Sequence, residues 1–283
     1  MTRSYTGMAP FQPKIESMDR LGKKFSSLKA SGRKALIPFV TAGDPSLEAT
    51  VPVMHALVAA GADIIELGVP FSDPMADGPV IQRSSEQALR RGAGLRYVLQ
   101  AVAEFRMRDA DTPVVLMGYL NPIEIHGDQR FAEEAVQAGV DGVLLVDLPP
   151  EEAAETREIF TRHGLDLIAL ASPTTTPERM AMLSESAQGY LYYVSFAGVT
   201  GAGHLDTQAA GGRLHTLRAQ SQVPVVAGFG IKDAASARAM AVEADGVVVG
   251  SALVACLADA ATPEEAASRA AAFLEPLRRA LDG

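Results

Sequence analysis

The sequence has a single cysteine, Cys256, among its 283 residues and no long uncharged apolar stretch. One thiol excludes a disulfide within the chain and fits a reducing compartment, so we expect a cytoplasmic protein. No run of about eighteen uncharged apolar residues occurs, and the N-terminal residues lack the apolar region of a signal peptide. We therefore expect neither export nor a membrane span.

Positive charge is also scarce, since the sequence has 25 basic and 34 acidic residues and a formal net charge of −9. No stripe of Lys and Arg is interleaved with aromatic residues, which argues against a role in nucleic-acid binding. The composition, with 48% hydrophobic residues, is that of a globular protein with a sizeable core.

Several catalytic signatures are missing as well. None of the six lysines lies in an apolar run that could form a strand, which disfavours a Schiff-base aldolase. The five histidines show no His-x-x-x-His spacing, so the sequence predicts no metal site. No Gly-x-Ser-x-Gly motif occurs, and Cys256 lies in a helical pattern without a visible base, which argues against covalent acyl chemistry.

What the sequence does contain is a series of short, β-branched apolar runs separated by amphipathic segments of helical period. Continuous apolar runs are typical of strands buried on both faces in parallel sheets. The predicted strands are Ala35–Thr41, Asp63–Leu67, Pro113–Gly118, Gly142–Asp147, Asp166–Ala171, Tyr190–Ser195, Val223–Gly228 and Asp245–Gly250. Eight strands alternating with helices predict an α/β fold, a single (β/α)₈ TIM barrel.

The alternative is a doubly wound open sheet, which would favour Gly-x-Gly-x-x-Gly after the first strand. The sequence instead reads Thr41-Ala42-Gly43-Asp44-Pro45. No Pro/Ser-rich linker divides the chain, so we predict one barrel domain over residues 18–283 with an extra N-terminal helix near 18–30. Residues 1–17 are expected to form an irregular extension.

A carboxylate inside one of these strands is the strongest functional signal. Glu66 lies in Ile64-Ile65-Glu66-Leu67, where burial should raise its pKa toward the range that allows proton transfer near neutral pH. Asp77 follows in the next loop, and both belong to the end of the barrel where active sites form. An ion pair is the alternative for Glu66, and a turn or helix cap for Asp77.

Glycines recur in the loops after the last three predicted strands. These loops read Ala197–Gly203, Gly228-Phe229-Gly230 and Gly250-Ser251. Glycine lets backbone N–H groups approach an anion closely, and a helix beginning at Ser251 would direct its positive end to the same place. The pattern predicts a phosphate site, unless the glycines only make tight turns.

Three segments resemble the tryptophan synthase α subunit family: Pro38–Pro45, Glu66–Pro79 and Gly198-Val199-Thr200-Gly201. The resemblance extends from about Leu21 to the C-terminal helix. It implies a lyase that cleaves indole-3-glycerol phosphate to indole and glyceraldehyde 3-phosphate in L-tryptophan biosynthesis, with Glu66 and Asp77 as the catalytic carboxylates.

The resemblance also implies the positions that surround the substrate. Backbone amides at Gly201, Gly230, Gly250 and Ser251 would bind the phosphate. Phe39, Tyr192, Thr200 and Phe229 match pocket positions, although ordinary barrel packing is an equally good explanation for the three aromatic residues taken singly.

The implied partner is a tryptophan synthase β subunit that holds pyridoxal phosphate and forms an α2β2 complex, with no cofactor in this chain. Contacts are expected at Asp73, Pro74, Asn121 and Pro122. Two alternatives remain open, a free-standing lyase with the same reaction and a catalytically idle subunit that only activates its partner.

Overall fold

A computed structural model describes residues 19–194, 207–228 and 230–283, the side chains of 207–213 excepted. Eight parallel strands pair in chain order and β8 pairs with β1, which closes the barrel and confirms the predicted fold. The strands are β1 Ala35–Thr41, β2 Ile65–Gly68, β3 Val114–Gly118, β4 Gly142–Leu145, β5 Asp166–Ala171, β6 Leu191–Val194, β7 Val225–Gly228 and β8 Gly246–Val249.

Helices occupy the connections between strands and the two ends of the described chain. They are α1 Arg20–Ala30, α2 Thr50–Ala59, α3 Pro79–Arg90, α4 Leu95–Arg106, α5 Leu120–His126, α6 Asp128–Ala138, α7 Ala154–His163, α8 Pro177–Ser186, α9 Thr207–Gln220, α10 Ala234–Ala241, α11 Ser251–Leu257 and α12 Pro263–Asp282. The extra N-terminal helix is confirmed as α1. Residues 1–17, predicted to be an irregular extension, lie outside the described residues.

Successive side chains of each strand point alternately into the interior of the barrel and into the layer beneath the helices, as the twofold period of a strand requires. On β1, Ile37 and Phe39 join the inner core, whereas Leu36 and Val40 join the core that the outer helices cover. Helix α1 contributes Phe25 to the inner core, together with Leu21 and Leu28. Helix α1 therefore closes the N-terminal end of the barrel.

A repeated hydrogen bond fastens neighbouring strands at that closed end. In four places a side chain located just before an even-numbered strand accepts a backbone N–H from the odd-numbered strand before it. The pairs are Asp63 with Leu36, Asp141 with Val114, Gln188 with Leu167, and Asp245 with Val225. The repeat satisfies backbone donors that a short parallel strand leaves unpaired at its start.

Arginines from the outer helices complete three of these contacts. Arg278 contacts Asp63, Arg106 contacts Asp141 and Arg218 contacts Asp245, at 2.7–2.8 Å. Gly61 and Gly139 have φ values of +100° and +92°, and a Cβ at either would lie within 3 Å of an arginine side chain. This explains why Ala-Gly-x-Asp occurs twice in the sequence.

Within the described residues, no helix is both long enough and apolar enough to cross a bilayer. The same part of the chain contains no group of three or more His, Cys, Asp or Glu side chains arranged to hold a metal ion.

Candidate active site

Glu66 lies on the inward face of β2, between Ile64 and Gly68. Its backbone pairs with that of Phe39 on β1, and its side chain is 0% exposed. The sequence places it there because Ile64-Ile65-Glu66-Leu67 forms a strand and every second residue faces the barrel interior. A carboxylate therefore lies among apolar side chains.

The two oxygens of Glu66 have different surroundings. The hydroxyl of Tyr190 donates a hydrogen bond of 2.5 Å to Oε1, whereas Oε2 is buried and has no hydrogen-bond partner among the described residues. Burial raises the pKa of Glu66 to about 7, and the hydrogen bond from Tyr190 partly opposes this rise. Glu66 forms no ion pair with any described residue, so the alternative explanation for this residue finds no support.

Asp77 lies in the loop between β2 and α3, and it is half-buried. The hydroxyl of Tyr119 donates to Asp77 Oδ2 at 3.0 Å and accepts the N–H of Ala76 at 3.0 Å. Burial raises the pKa of Asp77, and the hydrogen bond from Tyr119 opposes the rise. On α3, Gln82 donates to the backbone oxygen of Asp77 at 2.8 Å, which fixes the loop from its other side.

Asp77 and Phe39 line one cavity at the C-terminal end of the barrel, together with Thr41 and Tyr119. Glu66 does not line this cavity. A Cβ at Gly68 would lie 2.6 Å from the Phe39 ring, so this ring occupies the space above Gly68, on the cavity side of Glu66. The structure thus brings Phe39 and Asp77 together at one cavity, which Gly68 also lines, and Glu66 lies two residues before Gly68 on β2.

Among the late-loop glycines that the structure describes, Gly230 and Gly250 bear on the predicted phosphate site. Gly230 has a φ of +58°, a left-handed conformation, and no atom of the described residues lies within 4 Å of where its side chain would begin. Gly250 precedes α11, whose first residue, Ser251, is exposed. Its N-cap residue, Gly250, has no side chain that could accept hydrogen bonds, so the first N–H groups of α11 have no side-chain cap within the described residues.

Tyr192 faces the barrel interior from β6 and is buried. A Cβ at Gly228 would lie 2.1 Å from its hydroxyl oxygen, so Gly228 provides the space for this side chain. Burial and the carboxylate of Glu66 raise the pKa of Tyr192, which keeps its hydroxyl protonated. Three other predicted site residues, Thr200, Gly201 and Phe229, lie outside the described residues.

The predicted partner contacts are accessible at the same end of the barrel. Asp73 and Asn121 are exposed, and Pro74 and Pro122 are half-buried. Large apolar side chains accompany them, since Met75 is 86% and Ile125 is 81% exposed.

Three residues of this region were not predicted as site residues: Tyr190, Tyr119 and Thr41. Tyr190 and Tyr119 each bond to one of the two carboxylates, and the hydroxyl of Thr41 is buried without a hydrogen-bond partner in the described residues. Each lies in or beside a predicted strand, where it resembles ordinary core. The only available signal is a polar tip on an inward-facing residue, because buried Tyr hydroxyls usually have a partner.

Comparison with known proteins identifies the family. The model of the family "Tryptophan synthase alpha chain" matches residues 25–282. A tryptophan synthase alpha chain from Xanthomonas euvesicatoria pv. vesicatoria (strain 85-10) is 76% identical over 266 residues, which cover 94% of this chain and 99% of the relative.

Two solved structures are similar in fold as well as sequence. Tryptophan synthase subunit alpha from Legionella pneumophila str. Paris has a TM-score of 0.87 and 47% identity, covering 94% of this chain and 99% of that one. A chain of Mycobacterium tuberculosis tryptophan synthase has a TM-score of 0.83 and 41% identity, covering 93% and 98%. The protein therefore belongs to the tryptophan synthase alpha chain family, the lyases that cleave indole-3-glycerol phosphate in tryptophan biosynthesis.

Proposed function

We propose that Glu66 and Asp77 carry out the cleavage of indole-3-glycerol phosphate in this chain, with Glu66 as the proton-transfer group. The observation that supports this role is the carboxyl of Glu66, which is fully buried, has one oxygen without a partner among the described residues and has a pKa raised to about 7. A group with that pKa can both give and accept a proton at neutral pH.

The reaction needs two proton transfers and one stabilised positive charge. Glu66 delivers a proton to C3 of the indole ring, and the ring nitrogen then carries positive charge. Glu66 next accepts the proton of the glycerol hydroxyl, the C–C bond breaks to give the aldehyde, and its electron pair restores the indole ring. Asp77 lies at the ring N–H, where its negative charge stabilises the intermediate.

The phosphate end of the substrate binds at the glycine loops in this proposal. Backbone amides at Gly230, Gly250 and Ser251, with Gly201, hold the phosphate, and this contact orients the indole end toward the two carboxylates. The left-handed conformation of Gly230 and the start of α11, which has no side-chain cap within the described residues, support the assignment. Phe39, Tyr192, Thr200 and Phe229 surround the rest of the substrate.

As a member of this family, the chain acts in an α2β2 complex with a β subunit, and pyridoxal phosphate belongs to that subunit. We place the contact at Asp73, Pro74, Asn121 and Pro122. The exposed apolar side chains of Met75 and Ile125, close to these residues in sequence, support an interface there. We also propose a cytoplasmic location and a single barrel domain over residues 18–283.

An indole-release assay on indole-3-glycerol phosphate, with and without the β subunit, tests the proposal. We expect Glu66→Gln to lower kcat by more than about 1,000-fold while the substrate still binds, since one proton-transfer group serves two steps. Asp77→Asn should lower kcat less. Near-normal cleavage by Glu66→Gln would overturn the assignment.

The same assay addresses the alternatives. A free-standing lyase would release indole at the same rate with or without the β subunit. An idle activating subunit would release no indole, whether the β subunit is present or absent. The presence of both carboxylates, Glu66 and Asp77, argues against this alternative.

A further inference from the structure

Tyr190 lies immediately before β6 and is fully buried, although β6 and β2 are far apart in the sequence. Its hydroxyl is the only described group that hydrogen-bonds to the carboxyl of Glu66. Burial raises the pKa of the Tyr190 phenol, and the carboxylate of Glu66 raises it further. Tyr190 therefore remains protonated and can donate its hydrogen bond throughout the working pH range.

The ring of Tyr190 is supported from the closed end of the barrel. It packs against Phe25 of helix α1, with ring centroids 5.8 Å apart and an interplanar angle of 52°. Both residues belong to the inner core that also contains Leu21 and Leu28. Tyr190 is thus in contact with helix α1 on one side and with Glu66 on the other.

This arrangement makes the two oxygens of Glu66 inequivalent. A Glu side chain has three rotatable bonds, so a single firm hydrogen bond to Oε1 decides where Oε2 lies. The bond also stabilises the ionised carboxylate and limits the rise of the pKa that burial causes. Both effects serve a group that must give and then accept a proton.

We propose that Tyr190 is a positioning residue for the cleavage reaction. It holds Oε1 of Glu66, leaves Oε2 to exchange protons with the substrate, and is itself supported by Phe25 of helix α1. The inference rests on the proposed role of Glu66 as the proton-transfer group.

Tyr190→Phe, assayed in the complex with the β subunit, tests the proposal. We expect kcat to fall about 10-fold, the size expected for loss of one hydrogen bond to a charged group. KM should stay within about 2-fold because Tyr190 does not bind substrate. The limb of the kcat profile that reports Glu66 should move to higher pH, since the lost hydrogen bond lowered its pKa.

Tyr193→Phe is the matched control, because Tyr193 lies three residues away, is also buried, and faces the outer core instead of the barrel interior. It should leave the pH profile unchanged. Wild-type kcat and an unmoved limb in Tyr190→Phe would overturn the proposal, and so would an equal shift in Tyr193→Phe.

Phe25→Leu tests the support from helix α1. It should lower kcat less than Tyr190→Phe and move the same limb in the same direction, whereas Leu28→Val on the same helix should match the wild type. If Phe25→Leu matches the wild type in both kcat and the position of this limb, the proposed support of Tyr190 by helix α1 is overturned.

A direct titration separates this inference from the proposed function. The carboxyl infrared signal of Glu66, isolated by subtracting the spectrum of the matching Glu66→Gln protein, should titrate at higher pH in Tyr190→Phe even if that variant has lost activity. Full activity in Glu66→Gln would overturn the proposed function. An inactive Glu66→Gln combined with an unchanged titration and unchanged kcat in Tyr190→Phe would overturn only the role of Tyr190.

Discussion

At the closed, N-terminal end of the barrel, Asp63 and Asp141 each accept a backbone N–H and contact an arginine. Glu66, toward the other end, accepts one hydrogen bond from a tyrosine and contacts no described cation, and Asp77 is held in the same way. Carboxylates are buried in both regions. They differ in whether the surrounding groups compensate their charge.

Compensation determines what each carboxylate can do. Burial raises the pKa of Asp63 and Asp141 as well, but an arginine and a backbone donor at each lower it again, which favours the ionised form that fastens strands and helices together. A buried carboxyl with one neutral donor has a raised pKa and can change its protonation state near neutral pH. The closed end therefore supplies stability, and the carboxylates Glu66 and Asp77 carry a cost that we attribute to catalysis.

The largest expected effect comes from breaking the most extensive contact of the closed end. Asp141 accepts from Arg20, Arg106 and the N–H of Val114, all at 2.8 Å. Asp141→Asn should lower the free energy of unfolding by about 3–5 kcal/mol, because it leaves buried guanidinium charge uncompensated. Urea unfolding measures this, with the exposed Asp111→Asn as a control expected within about 0.5 kcal/mol of the wild type. A similar loss in both variants would remove the distinction between the two ends.

Glu66→Gln should change stability in the opposite direction and raise the free energy of unfolding. The pKa of Glu66 is raised from 4.5 to about 7 in the folded protein, so ionisation destabilises the fold and stability is lost as pH rises through this range. The glutamine side chain cannot ionise, and the variant should gain up to about 3 kcal/mol relative to the wild type above pH 7, and nothing from this source below pH 4. Thermal unfolding of both proteins at pH 4 and pH 9 measures the difference, and a gain that is the same at both pH values would contradict it.

Asp166 is an exception at the closed end and sharpens the comparison. No described cation pairs with it, and burial, with the charges of Asp19 and Asp141, raises its pKa to about 6. Asp166→Asn should therefore stabilise the protein by about 1–2 kcal/mol above pH 6, less than the full shift implies because the side chain is partly exposed. The gain should disappear near pH 4 in urea unfolding. A loss of stability at neutral pH would show that this carboxylate has a favourable partner.

The smallest effect is expected for an ion pair that lies in solvent. Arg33 and Asp282 contact each other at 2.9 Å, with side chains that are 41% and 39% exposed. Arg33→Gln should lower the free energy of unfolding by less than about 1 kcal/mol. The remaining loss should decrease further in 1 M salt, which screens exposed charges. A larger, salt-independent loss would place this pair with the buried contacts of the closed end.

Much of the fold could be predicted from the sequence because it is encoded locally. Apolar runs and their breaks located all eight strands, and β1 and β5 have the predicted boundaries. The predicted second strand begins two residues before the observed β2, at Asp63, because the Asp63 carboxylate bonds to β1 ahead of the strand itself, and the observed strand ends one residue later than predicted, at Gly68. The placement of Glu66 within a strand was equally local, since a carboxylate in an apolar run is visible in the sequence.

The partners of the carboxylates could not be predicted in this way. Tyr190 lies 124 residues from Glu66, and Arg278 lies 215 residues from Asp63. The sequence alone determined the order of strands and helices, the buried acid and the glycine loops, because strand period, turn residues and burial act over a few residues. Only the tertiary structure decided which carboxylate contacts an arginine and which contacts only a tyrosine hydroxyl, because closure of the barrel brings distant strands and helices into contact.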